Sequence, residues 1–304
     1  MRLKAVRLSV AICLAFFSLL GACHGIIIYG RDNSGNQTNP GISGAWDSVV
    51  TLAQPAQSYN ASGVYVGNGY FLTAGHVDAV QIGQQVKING TLYSLDTSFD
   101  TDGILYVKDI AGVDDEVDLK IFRVLSPPLL SSAILNSNAV NDLSRLSTLV
   151  GNGVGKGTEV SFQGWNWGDE SVTRAKRWAT NYTLNAIDSS VLSGLAGYSV
   201  LGSVFYSGYG ADTGSITLGD SGSALFQFLG GQWVLSGVPT FAEVNGSSFY
   251  NRGPSDPVNP DFSGYVRIST YSSAILSVVP EPSAMGLCLG AGLASLVLRR
   301  RQQR

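Results

Sequence analysis

The sequence predicts an all-β protein built as a sandwich or barrel, and three observations predict it. Short apolar runs of about four residues recur between clusters of Gly, Asn and Asp, the pattern of strands joined by tight turns. Glycine is abundant at 37 of 304 residues, while charged residues make up only 13%. Outside the two ends no stretch sustains helical periodicity, and regular short strands imply a sandwich or barrel.

The first element is a segment, 1–25, that reads as a secretory signal peptide. Arg2, Lys4 and Arg7 form a charged start, Leu8 to Leu20 an apolar stretch, and small residues follow, the three parts of a leader removed during export. Cys23 and Gly25 stand three places and one place before a cut that leaves Ile26 as the new N-terminus. Leu20-Gly21-Ala22-Cys23 also reads as a lipoprotein box with Cys23 lipidated, and both readings stay open.

Strands are then expected at Val64-Tyr65-Val66, Gly69 to Leu72, Gln85 to Ile88, Ile104 to Val107 and Leu119 to Phe122. Ser126-Pro127-Pro128 breaks the pattern, and Leu129 to Thr148 is polar and loop-like. This segment, about 126–148, is the expected linker between two β-units at about 26–125 and 149–279, with no clear sequence repeat between them. Gly164 to Trp178, with Trp165, Trp167 and Trp178, reads as an enlarged surface loop whose aromatics are either core or substrate contacts.

The last element, 280–304, has three parts: Pro280-Glu281-Pro282, an apolar run of 16 residues from Ser283 to Leu298, then Arg299, Arg300 and Arg301. The run is a little short of the roughly 20 residues that span a bilayer, and the arginines are of the kind that stay on the cytoplasmic side. This tail resembles the PEP-CTERM sorting signals of Gram-negative bacteria. The resemblance implies the membrane and exosortase-type processing machinery as partners during export, and an extracellular or cell-surface destination. An ordinary C-terminal membrane anchor is the other reading.

Between the two ends lie 12 basic and 21 acidic residues, a net charge of −9 against −3 for the whole chain. An acidic domain repels phosphate backbones, which disfavours nucleic acid as a partner. All three cysteines (Cys13, Cys23, Cys288) fall in the removable ends, so stability must come from core burial, which a domain of this size can supply. Of the two histidines, His24 lies in the leader and only His76 remains. One histidine and no cysteine argue against a zinc site, and no cofactor is expected.

Three segments carry chemistry. In Gly69-Tyr70-Phe71-Leu72-Thr73-Ala74-Gly75-His76-Val77 an apolar strand ends in small residues that let the backbone turn and face an imidazole toward a cleft. In Glu116-Val117-Asp118-Leu119-Lys120-Ile121-Phe122 an aspartate opens an alternating strand; against a histidine's second nitrogen it would fix the tautomer. In Leu218-Gly219-Asp220-Ser221-Gly222-Ser223-Ala224 glycines flank Asp-Ser. Such a turn reaches conformations other residues resist and can aim the N–H groups of Gly219 and Ser221 at one point.

In this order, 42 and then 103 residues apart, the segments resemble the histidine, aspartate and serine motifs of the trypsin/chymotrypsin family. Leu235 to Phe241 is similar to that family's substrate-pairing strand, and Gly264 to Tyr271 to its closing strand and the start of its terminal helix. The resemblance implies a pair of six-stranded antiparallel β-barrels with the active site in the cleft between them, and a serine endopeptidase acting on protein or peptide substrates. By resemblance Ser221 is the nucleophile, His76 the base, Asp118 its orienting carboxylate, and the N–H groups of Gly219 and Ser221 the oxyanion hole. Ser215 then lies at the base of the specificity pocket, with Thr240, Phe241 and Ala242 along the substrate. The family's activation by a freed N-terminus implies that Ile26 enters the protein and pairs with Asp220; an edge strand at Ile26 to Ile28, with Asp220 partnered elsewhere, is the alternative. Ser223-Ala224 departs from the usual Gly-Pro, and the family's disulfides are absent.

Overall fold

The computed structural model describes residues 26–280 apart from 60, 101, 162, 185–193, 195, 244 and 252–259. The expected signal peptide and sorting tail, at 1–25 and 281–304, lie outside the described residues. No helix among the described residues is long and apolar enough to cross a membrane.

After a two-residue strand, β1 (Ile27–Ile28), the chain builds one antiparallel sheet from β2 (Val49–Ala53), β3 (Ala61–Gly67), β4 (Tyr70–Ala74), β5 (Gln85–Ile88), β6 (Thr91–Ser94), β7 (Ile104–Tyr106) and β8 (Leu119–Arg123). Their order is β6-β5-β2-β3-β4-β8-β7. The sheet curls back on itself: Asp96 N–H donates to Arg123 C=O at 2.8 Å and Leu125 N–H to Ser94 C=O at 3.0 Å, joining the far end of β6 to β8.

The second sheet uses β9 (Ile134–Leu135), β10 (Leu146–Gly151), β13 (Arg177–Tyr182), β14 (Val200–Val204), β16 (Ala224–Leu229), β17 (Gln232–Ala242) and β19 (Phe262–Arg267). They run in the order β13-β10-β16-β17-β19-β14, with β9 parallel to β17. β15 (Gly214–Ser215) pairs with β1, and β11 (Lys156–Val160), β12 (Gly164–Trp167) and β18 (Ser247–Phe249) form a small third sheet. The helices are short, α1 (Ala45–Ser48) and α2 (Glu170–Thr173), until α3 (Ile268–Val278) follows the closing strand.

Strand alternation explains why these runs are apolar on both faces. Side chains of a strand point alternately to its two sides, and here both sides are buried. Val49, Leu72 and Ile121 enter a core shared with Val150, Phe226 and Val238 of the second sheet. Their chain neighbours Val50, Phe71 and Phe122 fill the inside of the first sheet. In the second sheet Leu149, Leu225 and Tyr265 face inward while Val150, Ala224 and Val266 face the shared core. Two curled sheets back to back are the double-barrel architecture the motifs implied.

Three details differ from expectation. Each large sheet has seven strands rather than six, the addition in the second being the two-residue β9. The linker is shorter than 126–148, because β9 and the start of β10 fall inside it. Gly164 to Trp178 is only partly loop: it contains β12, α2 and the start of β13.

Candidate active site

The end of β4, the start of β8 and the turn between β15 and β16 meet at one edge of the shared core, and they bring together His76, Asp118 and Ser221. Gly75 makes the first approach possible, since a Cβ there would stand 2.9 Å from Asp118 Oδ1. The Asp118 carboxylate accepts from His76 N–H at 2.8 Å through Oδ1, and its Oδ2 lies 2.7 Å from His76 Nδ1. On the far side of the ring, His76 Nε2 is 3.0 Å from Ser221 Oγ.

The carboxylate and imidazole tune each other. The hydrogen bond to Asp118 raises the His76 pKa above its ordinary 6.5, against an opposing effect of burial. Burial alone would raise Asp118, but the hydrogen bond and charge of His76, with the Thr240 hydroxyl, hold it below the ordinary carboxylate value. Thr240 Oγ1 donates to Asp118 Oδ2 and lies 3.0 Å from the Tyr198 hydroxyl. The side chain of Thr240 thus serves the carboxylate, while its backbone lies in β17, the strand expected along the substrate. Neither this role nor that of Tyr198 had a local signal in the sequence.

Ser221 rides a turn that only glycines permit. Gly219 has φ +92° and Gly222 φ +80°, the left-handed side that disfavours a Cβ. A Cβ on Gly222 would also overlap Thr73 Oγ1 and Ser62 C=O. Three successive carbonyls of this turn are tied down. Leu218 C=O accepts from Val154 N–H at 2.9 Å and Asp220 C=O from Ser223 N–H at 2.9 Å. Between them, Gly219 C=O accepts from Tyr59 Oη at 2.6 Å and Ser62 Oγ at 3.0 Å. The peptide planes bearing the Gly219 and Ser221 N–H groups are therefore fixed, and among the described residues neither N–H has a hydrogen-bond partner.

Asp220 turns away from the cleft and is fully buried. Its Oδ1 accepts from Gly153 N–H at 2.7 Å and its Oδ2 from Thr217 N–H at 2.9 Å; Thr217 Oγ1 lies 3.0 Å from Oδ2 and gives its proton to Val154 C=O at 2.6 Å. Burial pushes its pKa up to about 6, opposed by these bonds and by the charge of Arg177. With residues 1–25 still attached Ile26 has no free ammonium, and in this chain Asp220 is partnered by Gly153 and Thr217. Ile27–Ile28 is the edge strand β1, paired with Gly214–Ser215, and the Ile26 side chain packs with Leu149, Leu225 and Tyr265. Two backbone N–H groups of the protein's own loops hold the carboxylate in this chain.

Ser215 is buried at the back of the site, its Oγ 3.3 Å from Ser263 Oγ. Ser263 pairs across the sheet with Ala242, so all three line up. Phe241 instead lays its ring over Gly264, where a Cβ would collide with it. The tryptophans of 164–178 lie elsewhere: Trp165 packs against Tyr29, Phe205 and Tyr250, and Trp167 Nε1 donates to Ser248 Oγ at 2.9 Å. Trp165 and Trp167 thus belong to the small third sheet, and Trp178, in β13, packs against the shared core beneath Arg31. No cluster of metal-ligating side chains occurs among the described residues.

A family model described as Trypsin matches residues 24–275, more than half of the chain. The chain belongs to the trypsin family. No curated protein matches it. Membership in the trypsin family agrees with the two curled sheets, and protein substrates are what a protease family of this kind acts on.

Proposed function

We propose that the protein is a serine endopeptidase, exported to the cell surface or beyond, that cleaves peptide bonds through an acyl-enzyme. The observation that carries this reading is the hydrogen-bonded series Ser221–His76–Asp118 beside two uncommitted backbone N–H groups. Ser221 Oγ attacks the scissile carbonyl as His76 Nε2 takes its proton. The N–H groups of Gly219 and Ser221 hold the oxyanion, and His76 then protonates the leaving amine. Water attacks the resulting ester by the same route in reverse. Asp118 keeps the proton of His76 on Nδ1 and stabilises the imidazolium. Export and tail processing by an exosortase-type machinery rest on the sequence of the two ends alone.

His76 is the only imidazole between residues 26 and 304, so no neighbour can replace it as base. His76→Ala and Ser221→Ala are each expected to lower turnover by roughly 10⁴–10⁶ while leaving the fold intact. Only the parent protein should take up a fluorophosphonate at Ser221. Turnover retained by His76→Ala removes the mechanism. Ser215, the residue that the family resemblance puts at the base of the pocket, offers no carboxylate to a cationic side chain, and with Ala242 on the pocket wall this suits small to medium apolar residues before the cut. Sequencing of the peptides released from a whole-proteome digest reads this directly, and cleavage mainly after Arg or Lys overturns it.

A further inference from the structure

The Gly219 carbonyl is held from across the cleft. Tyr59 and Ser62 belong to the first half of the chain, Gly219 to the second, and both hydroxyls converge on one oxygen. Asn152 Nδ2 donates to Ser62 Oγ at 3.3 Å, which leaves the serine proton for Gly219. The Tyr59 ring is itself held: the Arg174 guanidinium stacks on it, its carbon 3.7 Å from the ring centre, and Arg174 is tethered to Glu170 at 2.7 Å. Arg174 Nη1 also lies where a Cβ on Gly219 would stand, 2.7 Å away. Burial pushes the Tyr59 phenol well above its ordinary pKa of 10, so it stays a donor.

The clamped carbonyl belongs to the Gly219–Asp220 peptide, the link between the two peptides that carry the Gly219 and Ser221 N–H groups; a glycine at positive φ is the freest point of such a turn, and those N–H groups stabilise charge in the transition state only when aimed beforehand. We infer that Tyr59, seated under Arg174 and assisted by Ser62, is a positioning residue that holds the oxyanion-binding turn in its working orientation. Arg174 comes from the segment between β12 and β13, so that insertion acts on catalysis from outside the cleft. The inference rests on the endopeptidase reading for its effect on turnover, whereas the clamp itself is a matter of structure.

The test uses the full chain carrying Tyr59→Phe, alone and with Ser62→Ala, and Arg174→Leu separately. Kinetics on a peptide anilide should show kcat lower by roughly 10–100-fold, less than the loss of a whole oxyanion donor, with KM within twofold. The acid limb of the pH profile should not move. Amide exchange should accelerate in peptides covering 215–223 and nowhere else. Arg174→Leu should fall in the same direction by a smaller factor. Unchanged kcat with unchanged exchange overturns the proposal, as does a fall in kcat that comes with a shifted acid limb or with faster exchange throughout the chain. If the parent protein takes no fluorophosphonate at Ser221, the endopeptidase reading fails. Exchange confined to 215–223 then still supports the clamp, and unaltered exchange there still rejects it.

Discussion

At the scale of single residues, the pair His76 and Asp118 sets when the site can work. A base must be neutral to accept a proton, so activity is present above the His76 pKa and is lost as pH falls through it. That pKa is raised, first by the hydrogen bond to Asp118, so the acid limb of kcat/KM should fall above 6.5. Asp118→Asn removes both the bond to a charged acceptor and the charge. It should move the limb to lower pH and cut kcat by about 10⁴, since the wrong tautomer is then favoured. The pH–rate profiles of the two proteins decide the matter, and an acid limb that stays in place excludes Asp118 as the group that raises His76. Thr240 belongs to the same account, since its hydroxyl occupies an Asp118 lone pair that would otherwise meet the apolar core.

At the scale of elements, what was legible in the sequence is what the chain encodes locally. The end of β4, the start of β8 and the glycine-flanked turn each announce their chemistry within nine residues. Gly75 before His76 and the glycines around Ser221 are required by contacts a Cβ would violate. Among the strands read from apolar runs, β3, β4 and β8 have both faces buried, which makes their composition conspicuous, whereas β5 alternates and buries only Val86 and Ile88. β9, β11 and β12 escaped for the opposite reason. β11 is Lys156–Val160, mostly exposed and polar, and β12 is held by pairing with β11 and β18 rather than by an apolar run of its own. The partners of Asp220 were illegible in another way: Gly153 is 67 residues from it in the chain, and nothing near either residue marks the other. Resemblance implies a free N-terminus for that carboxylate, which a chain with residues 1–25 attached cannot present; in this chain the loop at Gly153 closes onto it.

At the scale of the whole molecule, an acidic protein with no cysteine among its described residues uses ammonium groups as ties between distant segments. Lys120 Nζ donates to Val77 C=O at 2.6 Å and Val80 C=O at 3.2 Å, holding the chain after His76 against β8. Lys156 ties the Tyr29 and Arg31 carbonyls to β11. Lys176 reaches from the second half of the chain to Val49 C=O in the first sheet at 2.7 Å. Burial lowers all three pKa values from 10.5 to about 8. Between pH 8 and 10.5 the unfolded chain therefore keeps protons that the folded one has released, and this contribution makes stability rise with pH. Above about pH 10 the buried phenols of Tyr198 and Tyr265, raised to about 12, act in the opposite sense, so the lysine effect is read between pH 8 and 10. Lys120 is the most enclosed of the three by surface exposure. Urea unfolding of the parent protein and of Lys120→Met at pH 8, 9 and 10 should show the parent gaining on the variant as pH rises. The gain is bounded by about 3 kcal/mol, at 1.4 kcal/mol for each pKa unit. Lys156→Met, at a more exposed site, should show a smaller gain because solvent screens its charge. A difference between parent and Lys120→Met that stays flat across the window means that the Lys120 ammonium is hydrated in the folded protein, and the tie to Val77 and Val80 then carries no desolvation cost for deprotonation to relieve.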